Sequence, residues 1–230
     1  MQLEFQVKLS PGLYLRDPAR SELGQKIIDS SIRLIYEIGY EQFTFKKVAG
    51  TIPTTEASVY RYFENKHKLL IYLIDLYWSF IEFQVIYSIQ NLASPESKIK
   101  KIIDLLVWED DSDPMFVGIN QKALHFIAIS EGSKTFLSKS VDQFNHELFF
   151  KPYKDLCVRI ASVFNEYKPG YTYTHSLASS VAEVSHFQYY FMHHLPKLCD
   201  FSDRKDPREL KAFLNHLVFS CLNGVSSSSQ

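Results

Sequence analysis

The stretch that most restricts this chain runs from Thr44 to Lys66, T-F-K-K-V-A-G-T-I-P-T-T-E-A-S-V-Y-R-Y-F-E-N-K. Two short helical patterns flank one turn, and an aromatic and basic cluster follows. Val48, Ala49, Ile52 and Val59 are the apolar positions that hold two such helices together. Thr44 suits the N-cap of the first helix, because its hydroxyl satisfies a backbone N–H the helix leaves open. Thr55 takes the same place before the second, with Glu56 in the first turn, where the helix dipole favours a carboxylate. Asn65 then caps a third, much longer helix.

The second short helix leaves Glu56, Ala57, Ser58, Arg61 and Tyr62 on a small, polar, outward face. The DNA major groove is wide enough to admit one helix of this kind. A plain helical hairpin inside a bundle has the same pattern. In the groove reading, Glu56 accepts from cytosine, Ala57 touches a thymine methyl, and Ser58 meets base edges. Tyr60, Arg61, Tyr62 and Lys66 supply hydroxyls and cations suited to phosphate oxygens, which set register without reading sequence. The capped helix start at Thr44 also attracts phosphate, and Lys46 and Lys47 lie near the backbone. The DNA-facing set is therefore Thr44, Thr54, Thr55, Glu56, Ala57, Ser58, Tyr60, Arg61, Tyr62 and Lys66.

The run A-S-V-Y-R-Y-F-E-N-K-H-K-L-L (57–70), with V-A at 48–49 and a helical pattern over 23–38 ahead of it, resembles the tetracycline-repressor (TetR) family of bacterial regulators. The resemblance covers roughly residues 21–70 and says little about 71–230. It implies a helix-turn-helix DNA-binding domain, with phosphate contacts at the positions of Tyr60 and Lys66. It also implies a homodimer joined by the last two long helices as a four-helix interface, acting on a palindromic operator in double-stranded DNA as a repressor. One position departs from the family: Pro53 stands where a turn glycine is usual. Proline cannot take a positive φ and pushes Ile52 toward extended geometry. Gly50 is therefore placed to end the first short helix, and the turn is expected to be reshaped.

The rest of the chain reads as helix throughout. Residues 1–20 form an arm, with Arg16 and Arg20 as solvated charges. Ser21 caps a helix whose face is Leu23, Ile27, Leu34 and Ile38, and Gly39 is placed to end it with a positive φ. An apolar stripe from Ile71 through Tyr77, Trp78 and Val85 to Ile89 marks one helix of about six turns. Pro95 opens the next, followed by helices over 115–131, 133–167 (interrupted by Pro152), 174–194 and 207–222. The fold class is all-α, about nine helices. The organisation is an arm (1–20), a helix-turn-helix domain (21–70), a helical ligand-binding and dimerisation domain (71–222), and a low-complexity tail (223–230).

Composition bounds the function. A hydrophobic share of 46% with 22% charged residues describes a globular chain. Residues 1–70 hold ten Lys and Arg against eight Asp and Glu, and the remainder 15 against 18, an asymmetry of the right sign for an N-terminal DNA module. Cys157, Cys199 and Cys221 lack CxxC spacing and read as buried thiols in a reducing cytoplasm. The N-terminus lacks a signal-peptide pattern. Leu69 to Ile89 is apolar but interrupted by Asp75, Glu82 and Gln84, so no membrane association is expected. The carboxylates of 109–114 lack calcium-loop spacing.

No GxSxG, phosphate-binding glycine loop or HExxH occurs, so no enzyme class and no cofactor is indicated. Glu64–His67 and Glu183–His186 have the Glu-x-x-His spacing of di-metal helical bundles, the rival reading. A helix-turn-helix module that only binds partner proteins is another. The aromatic residues of 71–230 suggest an apolar pocket between helices for a small apolar or aromatic effector, with Gln121, His125 and His186 as its polar groups.

Overall fold

A computed structural model describes residues 9–107, 109 and 119–224. The sequence-stretch 110–114, Trp108, Phe116 and the tail from 225 lie outside the described residues. All regular structure among the described residues is helical, which accords with the expected class. Among the described residues eleven α-helices are formed: α1 (Glu22–Gln42), α2 (Phe45–Thr51), α3 (Glu56–Tyr60), α4 (Lys66–Ile89), α5 (Pro95–Leu106), α6 (Gln121–Glu131), α7 (Ser133–Phe136), α8 (Val141–His146), α9 (Lys151–Tyr167), α10 (Thr174–His194) and α11 (Pro207–Gly224). The excess over nine arises in 133–167, expected as one interrupted helix. It divides into α7, α8 and α9, and Leu148 takes φ 63° in the break. Pro152 falls in the first turn of α9, where its missing N–H costs no helix bond.

The chain packs as two compact units, residues 1–79 with 111–152, and residues 80–110 with 153–230. In the first unit, Ile27, Ile28, Ile32, Leu34 and Ile35 of α1 are buried, and α6 packs against this helix with Ala123, Leu124, Ile127 and Ala128 inward. Gly24 is a point of close approach. A Cβ there would lie 2.3 Å from the Pro18 carbonyl oxygen, so only glycine lets residues 18–20 cross the helix. Residues 9–20 are not a loose lead. Leu9, Leu13 and Pro18 are buried, and the Leu15 N–H donates to the Tyr62 carbonyl at 2.8 Å. Gly39 breaks α1 with φ 75° and ψ 159°, but helical geometry resumes for a few residues instead of stopping there.

α4 is buried more broadly than the apolar stripe read in the sequence. Every residue from Leu69 to Ile81 is buried, as expected when a helix is apolar all round and enclosed by protein. By length and composition α4 is apolar enough to cross a membrane, yet 78% of its most apolar window is buried inside the protein. In the second unit, α10 and α11 pack on each other and on α5. α11 turns Leu210, Leu214, Val218 and Leu222 inward at four-residue spacing.

Candidate nucleic-acid interface

α2 and α3 are too short to persist alone, so their ends must be closed by side chains and their faces held by the core. Thr44 caps α2, its Oγ1 accepting the Lys47 N–H at 3.2 Å. Thr55 caps α3, its Oγ1 accepting the Ser58 N–H at 3.2 Å and lying 2.9 Å from the Ser58 hydroxyl. Phe45, Val48 and Val59 are buried between the two helices. The hydroxyls of Ser30 on α1 and Thr51 on α2 are hydrogen-bonded to each other.

The proline turn has a simple solution. α2 runs through Gly50 to Thr51, so Gly50 does not end it. Ile52 is extended, with φ −132° and ψ 154°, as the residue before proline should be. The Thr54 N–H then donates to the Ile52 carbonyl at 2.7 Å, closing a three-residue turn with Pro53 at its centre. No residue from 50 to 55 takes a positive φ. The turn thus reverses the chain without glycine.

α3 spans five residues, and Arg61 follows in helical geometry with φ −70° and ψ −19°. Glu56, Ala57, Tyr60 and Arg61 are exposed together, as i, i+1, i+4 and i+5 on one helical face require. Thr44, Lys46, Lys47 and Thr55 are also exposed, while Thr54 and Ser58 are half-buried. Tyr60 leans its ring edge-on against Phe45, with centroids 4.9 Å apart, and keeps 48% of its surface exposed.

Two residues of the DNA-facing set have inward engagements instead. Tyr62 is 2% exposed; its hydroxyl lies 2.8 Å from Ser21 Oγ and the Arg16 guanidinium sits over its ring. Lys66 is half-buried, and its Nζ donates to the carbonyls of Tyr40 and Glu41 at 3.2 and 3.4 Å. That Nζ also sits 4.5 Å from the centre of the Tyr40 ring. Asn65 caps α4 as expected, accepting the Lys68 N–H at 2.9 Å.

Lys134 on α7 was not legible as part of this arrangement. Its Nζ pairs with Glu41 at 2.6 Å and Glu131 at 2.8 Å and lies 5.5 Å from the Tyr40 ring. Two ammonium groups therefore bracket Tyr40 at the end of α1. Burial first, and then the Glu41 charge, pushes the Tyr40 hydroxyl up to about 12. Lys134 is 93 residues from Glu41, and no local pattern announces such a pairing.

The residues named for an effector do not share a unit. His125 is buried on α6 in the first, with its Nδ1 3.0 Å from the Tyr77 hydroxyl, and Gln121 is half-buried one turn earlier. His186 is buried on α10 in the second, where desolvation lowers it to about 3 and keeps its imidazole neutral. The two Glu-x-x-His pairs are likewise separated. Glu64 pairs with Lys68 at 2.9 Å, whereas Glu183 is hydrogen-bonded to Tyr153. Among the described residues no group of three His, Cys, Asp or Glu could hold a metal ion.

Residues 27–73, spanning most of α1, all of α2 and α3 and the start of α4, match the family profile described as bacterial regulatory proteins, tetR family. The chain carries the tetR DNA-binding domain. Solved structures extend the likeness beyond this domain. AibR, in a complex with isovaleryl coenzyme A and operator DNA, is 17% identical with a TM-score of 0.57, covering 85% of this chain and 98% of its own. The regulator FadR from Bacillus subtilis, in complex with stearoyl-CoA, is 19% identical with a TM-score of 0.59, covering 87% and 98%. The fatty acid degradation regulator FadR from Bacillus halodurans is 17% identical with a TM-score of 0.56, covering 90% and 98%. At these identities the likeness is one of fold. No curated protein matches the chain in sequence.

Proposed function

We propose that the protein is a ligand-responsive, DNA-binding transcriptional regulator of the tetR type, acting as a repressor in the cytoplasm. The observation that carries this reading is the exposed face of α3 within the matched domain. Glu56, Ala57 and Arg61 stand outward while Val59 anchors the helix from behind. Residues 21–70 are the DNA-binding domain and 71–222 the effector and dimerisation domain. Glu56, Ala57 and Ser58 read bases in the major groove. Thr44, Thr54, Thr55, Tyr60, Arg61 and Lys66 hold phosphates, assisted by Lys46 and Lys47.

A lysine ammonium has three N–H donors. The Tyr40 and Glu41 carbonyls take two of those on Lys66, leaving the third for a phosphate oxygen. A homodimer joined through α10 and α11 places two copies of α3 on a palindromic operator. The effector is a small apolar or aromatic molecule, with Gln121 and His125 of the first unit or, alternatively, His186 of the second as its candidate polar contacts. The acyl-CoA ligands of AibR and FadR make an acyl chain a reasonable first probe. α4 belongs to both compact units, so a ligand that favours one of its arrangements shifts DNA affinity by its differential binding, and no further.

Selection of bound duplexes from a random DNA pool tests the reading. A palindromic consensus is expected, and exchange of Glu56 or Ser58 should change it. Enrichment of no sequence over the starting pool would overturn it.

A further inference from the structure

Residues 9–20 are held along their length against the first unit. The Ser10 hydroxyl donates to the Glu147 carbonyl at 2.9 Å, and Lys68 Nζ to the Gly12 carbonyl at 3.2 Å. The Tyr14 ring meets the Tyr72 ring edge-on, with centroids 6.2 Å apart. At the end of α3 the Leu15 N–H donates to the Tyr62 carbonyl at 2.8 Å. Arg16 on the arm and Arg61 after α3 are each the next residue along from this bond, so two exposed arginines from separate parts of the chain meet the same end of the helix. The Arg16 guanidinium lies over the Tyr62 ring, its carbon 5.4 Å from the centroid. Tyr62 is buried and Arg16 exposed, which puts the cation on the solvent side of the ring.

We propose that Arg16 is a phosphate contact of the DNA interface, held at the end of α3 by the arm. The ion pairs around it favour this role. Arg20 is paired with Asp17, Lys26 with Glu22 and Lys68 with Glu64. Arg16 has no carboxylate partner among the described residues, a condition it shares with Lys46, Lys47 and Arg61, which are assigned to phosphates above. It therefore gives up no ion pair on meeting DNA. A guanidinium resting on an aromatic face uses its flat side and keeps its in-plane N–H donors for an oxyanion. That seat also orders the side chain before DNA arrives, which lowers the cost of the contact. A helix seated in the major groove lies between two sugar-phosphate ridges, so cations at its end meet the backbone and set register without reading sequence.

The inference rests on the reading of α3 as the groove helix and adds to it a contact from the segment before α1. The test uses the full chain, fluorescence anisotropy over a salt series, and two labelled duplexes, one of random sequence and one carrying the selected operator. Arg16→Gln should weaken binding to both alike, by roughly five- to tenfold near 0.1 M salt, and lower the slope of log affinity against log salt by about one. Arg61→Gln should do the same, and Arg16→Lys, which keeps the charge, should restore the slope. Arg33→Gln removes an equal charge from an exposed position about three turns along α1 and should leave the slope near its original value. Circular dichroism should show the same helix content in every variant. An unchanged slope for Arg16→Gln beside a lowered one for Arg61→Gln would overturn the proposal and leave the regulator reading standing. A loss confined to one duplex, an equal loss with Arg33→Gln, or a slope that Arg16→Lys does not restore would overturn it as well. Failure of the unaltered protein to bind either duplex would overturn the regulator reading and this contact with it.

Discussion

The hydroxyl of Tyr62 lies 2.8 Å from the Oγ of Ser21, the atom that also accepts the Gly24 N–H at 3.1 Å and so caps α1. An aromatic two residues beyond α3 is thus tied to the first turn of α1. Tyr62→Phe keeps the buried ring and removes this bond. It should lower stability by about 1 kcal/mol, the usual net worth of one hydrogen bond. Urea denaturation would measure the loss, and the salt dependence of DNA binding should stay unchanged because the hydroxyl does not face outward.

Lys66→Ala should weaken binding to all DNA sequences alike. The slope of log affinity against log salt should fall by roughly one counterion. Its two carbonyl contacts at the end of α1 predict a modest loss of stability as well. Unchanged affinity and slope in fluorescence-anisotropy titrations would confine Lys66 to the structural role.

Asp75 is 2% exposed, its Oδ2 has no hydrogen-bond partner among the described residues, and burial pushes its carboxyl up to about 9. The folded state therefore holds a proton that the unfolded chain, with its carboxyl near the ordinary 3.8, has released. The stabilising contribution is complete below about pH 4 and is lost as pH rises toward 9, with a limiting slope of about 1.4 kcal/mol per pH unit. Asp75→Asn should flatten that slope and raise the melting temperature near neutral pH. Parallel slopes for both proteins would show that Asp75 does not control this range.

Phe187, Tyr190 and Phe213 on α10 and α11 are 47%, 37% and 37% exposed. Aromatic area of this size on two adjacent helices is what a partner surface provides. Light scattering should give a dimer mass at micromolar concentration. Phe187→Glu combined with Phe213→Glu should halve that mass while leaving helix content intact. A monomer from the unaltered protein would contradict the proposed assembly.

Local rules made much of the molecule legible. Thr44, Thr55 and Asn65 cap helices where their residue types and spacing placed them, because a cap is settled within four residues. Pro53 forecast an extended Ile52 for the same reason. The helical class followed from periodicity. What a helix is packed against is not local. Tyr62 and Tyr60 look alike in sequence, yet one lies on Ser21 and the other stays exposed, since helical phase and the crossing of residues 9–20 decide which side faces the core.

The sequence by itself determined the helices, their caps and the helix-turn-helix arrangement, since each depends on neighbours a turn away. Only the tertiary structure decided that α4 is buried on every face from Leu69 to Ile81, that Lys134 reaches Glu41 across 93 residues, and that Arg159 lines a charged cleft with Lys98 and Glu166. Those relations are set by how helices dock, and docking depends on the summed burial of many side chains, not on the pattern of any one segment.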